Sequence, residues 1–314
     1  MKRVPMTAPL LAAALLLGAP FAAAQPPGDP VFSQTRIGWN QPVKPFRVIG
    51  NLYYVGMAGV SAFLITTPQG HILTDGGLPE SAAPIAANIK ALGFDIKDVK
   101  ILLNSHAHFD HSGGLARLKA ESGARFYASA ADRPILESGH IGWGPAAKVD
   151  APPLHVDRAF NDGDSFSLGG VTLTAHITPA HTPGCTTWTY EMPPSAFAGT
   201  SASYGHLPRK AGEGLTVMFF CSISVAGNPL VGNTGYPDIV AQYRAGFARL
   251  EKMKADIFLA PHGDQFGMKD KLARVKPGAP NPFVDPGELP RFLAGQKAAF
   301  ETELARQQAA AKKP

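Results

Sequence analysis

The chain has 314 residues, 45% of them apolar, a net charge of +5 and only two cysteines. That length and apolar share allow a packed core and exclude both a disordered chain and a small disulfide-stapled scaffold. Its lysines and arginines are scattered rather than gathered into a run, which argues against nucleic acid as a partner.

Lys2 and Arg3 precede an apolar run from Leu10 to Leu17, and Ala22-Ala23-Ala24 stands before Gln25. This is the pattern of a secretory signal with a small-residue cleavage site. Residues 1–24 are therefore expected to be removed, leaving 25–314 as a single domain. Their loss takes away two positive charges and no negative ones. No later stretch is long and apolar enough to cross a bilayer, and no cysteine near the cleavage point is placed to carry a lipid. The mature chain is expected in the periplasm, off the membrane and monomeric.

Gln25 to Pro45 is rich in proline, contains Trp39, and reads as an extended, irregular arm packed on the body. Val48 to Val55 and Val60 to Thr66 alternate like two strands, with Gly56-Met57-Ala58-Gly59 as their turn and Met57 exposed at its tip. His71 to Thr74 is a third strand, with His71 structural, and it stops at Asp75-Gly76-Gly77. A helix from Pro79 then places Ile85, Ile89 and Leu92 on one face. The apolar run Val99 to Leu103 is a buried strand that delivers the segment His106 to His111. Gly113 and Gly114 allow a tight turn into a helix carrying Leu115 and Leu118. A strand from Ala124 to Ala128 and a helix from Ser129 to Leu136 complete a first half. Ser138 to Pro153 is an irregular loop whose Trp143 reads equally well as a substrate-facing aromatic or as a side chain packed beneath it.

In the second half, Val171, Leu173, Ala175 and Ile177 share one strand face, with His176 on the polar face. The strand runs into Thr178 to Gly184, an irregular loop around His181. Thr186 to Glu191 and Thr216 to Cys221 are neighbouring strands, the first with Trp188 and Tyr190 on one face. Pro193 to Gly214 between them has no periodicity, and His206 within it is expected to be solvent-exposed. A helix from Pro237 carries Val240, Tyr243, Phe247 and Leu250. Ile257 to Ala260 repeats the buried-strand pattern and ends in Pro261-His262-Gly263. Leu289 to Gln308 is a helix that caps the body from outside. Export permits a bond between Cys185 and Cys221, but their spacing leaves it undecided. Cys221, ending the apolar run from Val217, reads as a small buried side chain rather than a metal ligand.

His106, His108, Asp110 and His111 offer four zinc-type ligands in six residues. No regular strand or helix points all four one way, so they call for a loop that splays them, and one closed tetrahedral site does not accommodate so many. Two ions sharing the loop is the economical reading. His181 and His262 follow apolar strands in the same manner. Five histidines and Asp110 then divide into two triads, and three protein ligands per ion leave coordination positions open, as in catalytic sites. A pair of such ions lowers the pKa of a shared water toward about 7, so hydrolysis is the implied reaction.

The His-x-His-x-Asp-His loop, His181 in a Thr-Pro-rich turn, His262 after a buried strand, and the two α/β halves resemble the metallo-β-lactamase superfamily. Over nearly the whole mature length the chain is similar to its subclass B3. The resemblance implies an α/β fold, an αββα sandwich with the site along one edge of the paired sheets. It implies two Zn2+ ions, one on His106, His108 and His181, the other on Asp110, His111 and His262. It also implies Asp110 as the catalytic group orienting a hydroxide, Ser222 and Ser224 as contacts for the substrate carboxylate, and Asn228 near the lactam carbonyl. Superfamily members acting on other substrates typically carry a metal-bridging aspartate after the strand that here ends at Cys221, and this chain has no Asp between Asp164 and Asp238. The expected function is zinc-dependent opening of the β-lactam ring of antibiotics. The alternative is a metallo-hydrolase of the same superfamily acting on another ester, thioester or lactone.

Overall fold

The computed structural model describes residues 33–197 and 213–313. The signal segment, His206 and most of the Pro193 to Gly214 stretch lie outside them. The chain enters through a short helix, α1 (Ser33–Trp39). It then lays down one sheet in strict chain order: β1 (Phe46–Ile49), β2 (Leu52–Tyr54), β3 (Phe63–Thr67), β4 (Gly70–Thr74), β5 (Val99–Leu103), β6 (Arg125–Ser129) and β7 (Arg158–Phe160). β1 to β4 pair antiparallel and β4 to β7 parallel. Parallel pairing needs crossovers. They run through α2 (Ala82–Ala91), α3 (Phe109–Ser112) with α4 (Leu115–Ser122), and α5 (Arg133–Ser138).

The second sheet consists of β8 (Ser165–Leu168), β9 (Val171–Ile177), β10 (Thr186–Met192), β11 (Leu215–Phe219) and β12 (Ile257–Leu259), adjacent in that order. Only β11 and β12 pair parallel, and α6 (Ile239–Leu250) lies in their crossover. α7 (Met268–Arg274) and α8 (Glu288–Ala311) complete the chain. No helix among the described residues is long and apolar enough to cross a membrane.

The period of two along the strands sorts the core into layers. Leu64, Leu73, Leu102 and Phe126 face Ile85, Ile89, Leu115 and Leu118 on the helices of the first half. Their neighbours Ile65, Ile72, Ile101 and Leu103 belong to the other layer, with Leu173, Trp188, Tyr190 and Val217 of the second sheet. Tyr243 of α6 stacks on Phe300 of α8 at 4.9 Å, and both are buried with that layer. The result is the expected αββα sandwich. Both buried strands of the histidine pattern, β5 and β12, end at the same edge of this sandwich, and that brings their loops together.

Three local expectations are corrected. The arm is not wholly irregular, because Ser33–Trp39 is helical. Val48 to Val55 is not one strand but the β1–β2 hairpin, reversing at Gly50, whose φ of +51° suits glycine. Met57 is not exposed but 1% accessible. The arm covers that turn, with Ala58 N–H donating to Gln41 O at 2.9 Å and Gly59 N–H to Trp39 O at 3.0 Å. His71 stays structural, its ring 5.1 Å from Phe94, and His176 shares a hydrogen bond with Thr189 Oγ1 at 2.8 Å.

Candidate active site

Two turns and one short helix carry the site. β5 is left through Asn104 and Ser105, after which His106 and His108 lie on an extended loop, whereas Asp110 and His111 sit on the single turn of α3. The loop reading therefore holds for the first two residues and is corrected for the last two. One helical turn still splays them, because successive positions on a helix point about 100° apart. Gly113 and Gly114 are needed for close approach rather than for a left-handed turn. A Cβ on Gly114 would stand 2.2 Å from Gly76 O, and one on Gly113 2.3 Å from Phe109 O.

The structure brings all six ligand candidates into two adjacent groups. One ligand atom each from His106, His108 and His181 lie within 4.8 Å of one another, and the same holds for Asp110, His111 and His262. The groups abut through His106 and His111, whose ring centroids are 4.3 Å apart. Within the second, Asp110 Oδ2 is 3.3 Å from His111 Nε2 and 3.5 Å from His262 Nε2. His181 and His262 are aimed by backbone carbonyls, their Nδ1 atoms bonding Ser224 O and Gly59 O at 2.8 Å each. Those bonds turn Nε2 of each ring toward the centre.

The Nε2 atoms of His106 and His108 are buried and have no hydrogen-bond partner. Buried nitrogen atoms left unpaired cost stability, and several of them converging with a carboxylate is the donor set that a divalent cation satisfies. The residues present therefore fit a metal ion in each group. Burial pushes His106 and His108 well below the usual imidazole range, and His181 down to about 4. It lowers His262 as well. These rings are thus neutral near pH 7, with lone pairs free to ligate. Burial alone would raise Asp110, but His111, His262 and His108 outweigh it and hold the carboxyl far below its ordinary value. His111 is the counterpart: burial opposes its charge, yet Asp110 and Asp75 hold its pKa above the usual value.

A cavity of about 250 Å³ opens onto both groups, lined in part by His108, Asp110, Ser224, Asn228 and Trp39. Of the expected substrate contacts, Ser224 and Asn228 reach this cavity. Ser222 is only 2% accessible and lies behind Ser224, the two hydroxyl oxygens 3.4 Å apart. Asn228 offers a buried Nδ2 without a hydrogen-bond partner. Trp143 packs on Tyr236 at 5.3 Å, so the under-loop reading is the one realised. Cys185 and Cys221 form a disulfide with their Cα atoms 5.7 Å apart, which ties the loop after His181 to the end of β11 and leaves neither sulfur free to ligate.

Three residues at the site were missed in sequence. Trp39 forms a wall, its ring 5.2 Å from His262. Asp75, at a φ of +58°, accepts from Ser105 N–H at 2.7 Å and Asn104 Nδ2 at 3.2 Å. It had read only as the end of a strand. Asp132 is buried at the loop junction, and burial, only partly offset by its hydrogen bonds, raises it to about 6. No spacing rule connects either aspartate to the histidines.

Residues 55–262 match the family model described as the metallo-beta-lactamase superfamily. The chain belongs to that superfamily. The solved structures it resembles include subclass B3 enzymes. BJP-1, a subclass B3 metallo-beta-lactamase of Bradyrhizobium japonicum, is 43% identical, with 88% of this chain and 98% of that one covered at a TM-score of 0.79. A Cronobacter sakazakii metallo-beta-lactamase with a HARLDQ motif is 42% identical, covering 88% and 99% at a TM-score of 0.78. This chain reads His106-Ala107-His108-Phe109-Asp110-His111 in its own six-residue loop. An N-acyl homoserine lactonase of Azorhizobium caulinodans is 30% identical over 43% of this chain and 61% of its own length. The chain spans less than two thirds of the curated relatives it matches first. The relatives it resembles in sequence and structure are hydrolases, metallo-beta-lactamases and a lactonase among them.

Proposed function

We propose that this chain opens the β-lactam ring of antibiotics, using two Zn2+ ions, one held by His106, His108 and His181 and the other by Asp110, His111 and His262. The observation that carries this reading is the division of six buried ligand candidates into two abutting groups of three beside one cavity. Bound zinc supplies Lewis acidity and a water whose pKa falls toward about 7. The chain's own groups do the rest. Asp110, ionised throughout the neutral range, offers a carboxylate oxygen that accepts from and orients the attacking water. Asn228 Nδ2 and the Ser224 hydroxyl donate to substrate oxygens, the carbonyl and the carboxylate respectively, while Ser222 supports Ser224 from behind. Trp39 and Phe109 close one wall and exclude bulk water.

The signal pattern supports a periplasmic enzyme, and the Cys185–Cys221 bond suits an oxidising compartment. The deciding experiment is hydrolysis of a carbapenem and a cephalosporin by metal-replete protein, followed by lactam absorbance, with and without a chelator. Loss of absorbance that stops when metal is removed supports the assignment. A second reading, hydrolysis of a lactone, ester or thioester, is favoured by the likeness to a homoserine lactonase. Turnover of those compounds with lactams untouched would establish it instead.

A further inference from the structure

We infer that Asp132 is a positioning residue for the first metal group only, holding the His106–His108 loop and the His181 loop in one geometry. The inference rests on the two-metal reading above. Asp132 lies immediately before α5, yet its side chain does not cap that helix. Its oxygens are instead spent on two distant loops. Oδ2 accepts from Ala107 N–H at 3.0 Å and from Thr182 Oγ1 at 2.7 Å, and Oδ1 accepts from Gly184 N–H at 2.7 Å. Ala107 separates His106 from His108, and Thr182 follows His181. One planar carboxylate therefore fixes the spacing between the two chain segments that make up the first group.

The surroundings are built for this. Asp132 is 1% accessible and Thr182 fully buried. Ser129 Oγ accepts from Asp132 N–H at 3.1 Å, which fixes the backbone behind the carboxylate. Residue 184 has to be glycine, because a Cβ there would stand 2.0 Å from Ser129 Oγ and 2.6 Å from Asp132 Cγ. The second group has separate supports, with His262 aimed by Gly59 O and His111 tied through its carbonyl to Gly76 N–H at 2.8 Å. Among the described residues, none of these hydrogen bonds of Asp132 goes to Asp110, His111 or His262.

Asp132→Asn keeps the volume but replaces one acceptor oxygen by an NH2, which faces either the Gly184 donor or the Ala107 and Thr182 donors. The test is stepwise Co2+ titration of metal-free protein, read by its visible absorption and by competition with a chromophoric chelator. His108→Ala and His262→Ala identify which step belongs to which group. The expected result for Asp132→Asn is a weakening of the His108-dependent step by about 10- to 100-fold, the usual effect of losing an outer-shell partner, with the His262-dependent step unchanged. Equal weakening of both steps, or of neither, would overturn the inference. If Asp132→Asn does not fold, Thr182→Val carries the same test, with a several-fold selective loss expected and Thr182→Ser restoring it. An unselective loss, or none, refutes it. Wild-type protein that takes up no metal would sink the two-metal reading itself, an outcome separate from unselective binding by the variants.

Discussion

His262 Nε2 lies 3.5 Å from Asp110 Oδ2, although one follows β12 in the second sheet and the other follows β5 in the first. The contact exists only because the two sheets pack with these strand ends at a common edge. It joins the halves of the molecule across the second metal group, so removing it tests the site without touching the core. His262→Ala is expected to retain the fold, as judged by circular dichroism, to bind one equivalent of metal fewer, and to lower kcat by roughly 100-fold or more. A variant with full metal content and near-normal turnover would show that His262 is not a ligand.

Stability of the metal-free protein should fall as the solution is acidified. Above about pH 6.5 the imidazoles of His106, His108, His181 and His262 are neutral in both the folded and unfolded chain and contribute nothing. Below it the unfolded chain takes up protons that His106, His108, His181 and His262 refuse until pH falls toward their lowered values, about 4 for His181. For His181 this costs about 2 kcal/mol at pH 5, and His106, His108 and His262 act in the same direction. Asp75 and Asp132, both raised to about 6, work in the opposite direction, because the folded chain binds their protons first. They return only about 1 kcal/mol each at that pH. His111, raised by Asp110 despite its burial, adds to the return. Four lowered histidines, with His106 and His108 held well below the usual imidazole value, stand against these three groups, and the net effect expected is destabilising. The urea midpoint of chelator-treated protein should therefore drop between pH 7.5 and pH 5, and an unchanged or rising midpoint would contradict the burial of these rings.

Gly114→Ala should damage the site through the backbone. The added methyl would stand 2.2 Å from Gly76 O, and Gly76 N–H holds the His111 carbonyl at 2.8 Å. Overpacking of this kind costs about 1–3 kcal/mol. The expected phenotype combines a lowered thermal midpoint with weaker metal binding at the His262-dependent step. Gly142→Ala, with nothing within 4 Å of the new methyl, should leave both unchanged.

The disulfide spans 36 positions of sequence. Closing a loop of that size stabilises the fold by about 3–4 kcal/mol in the chain-entropy account. Replacing both Cys185 and Cys221 by serine should lower stability by an amount in that range, and reduction should destabilise wild type while leaving the double variant unaffected. Equal sensitivity of both proteins to reductant would rule out the bond as the cause.

Much of the site could be read before the fold was known, for a local reason. Ligand chemistry demands particular side chains, and His106, His108, Asp110 and His111 stand close enough in sequence for their density to be conspicuous, while His181 and His262 repeat the strand-then-histidine grammar. Periodicity likewise marked β5, β9, β10 and β12, because a strand buried on one or both faces must carry apolar residues at fixed intervals. What the residues alone left open depends on contacts between distant segments. Trp39 became a wall of the cavity because the arm folds back over the turn at Met57, which also buries that methionine. Trp143 and the two cysteines had open readings until packing chose among them. Asp75 and Asp132 look like ordinary loop aspartates, and their roles follow from donors that long-range folding delivers, Ser105 N–H to one and Ala107 N–H, Thr182 Oγ1 and Gly184 N–H to the other. The amino-acid sequence by itself determined which atoms are able to bind metal; the tertiary structure decided how those atoms are grouped and what holds them there, because hydrogen bonds and packing act over ångströms of space irrespective of separation along the chain.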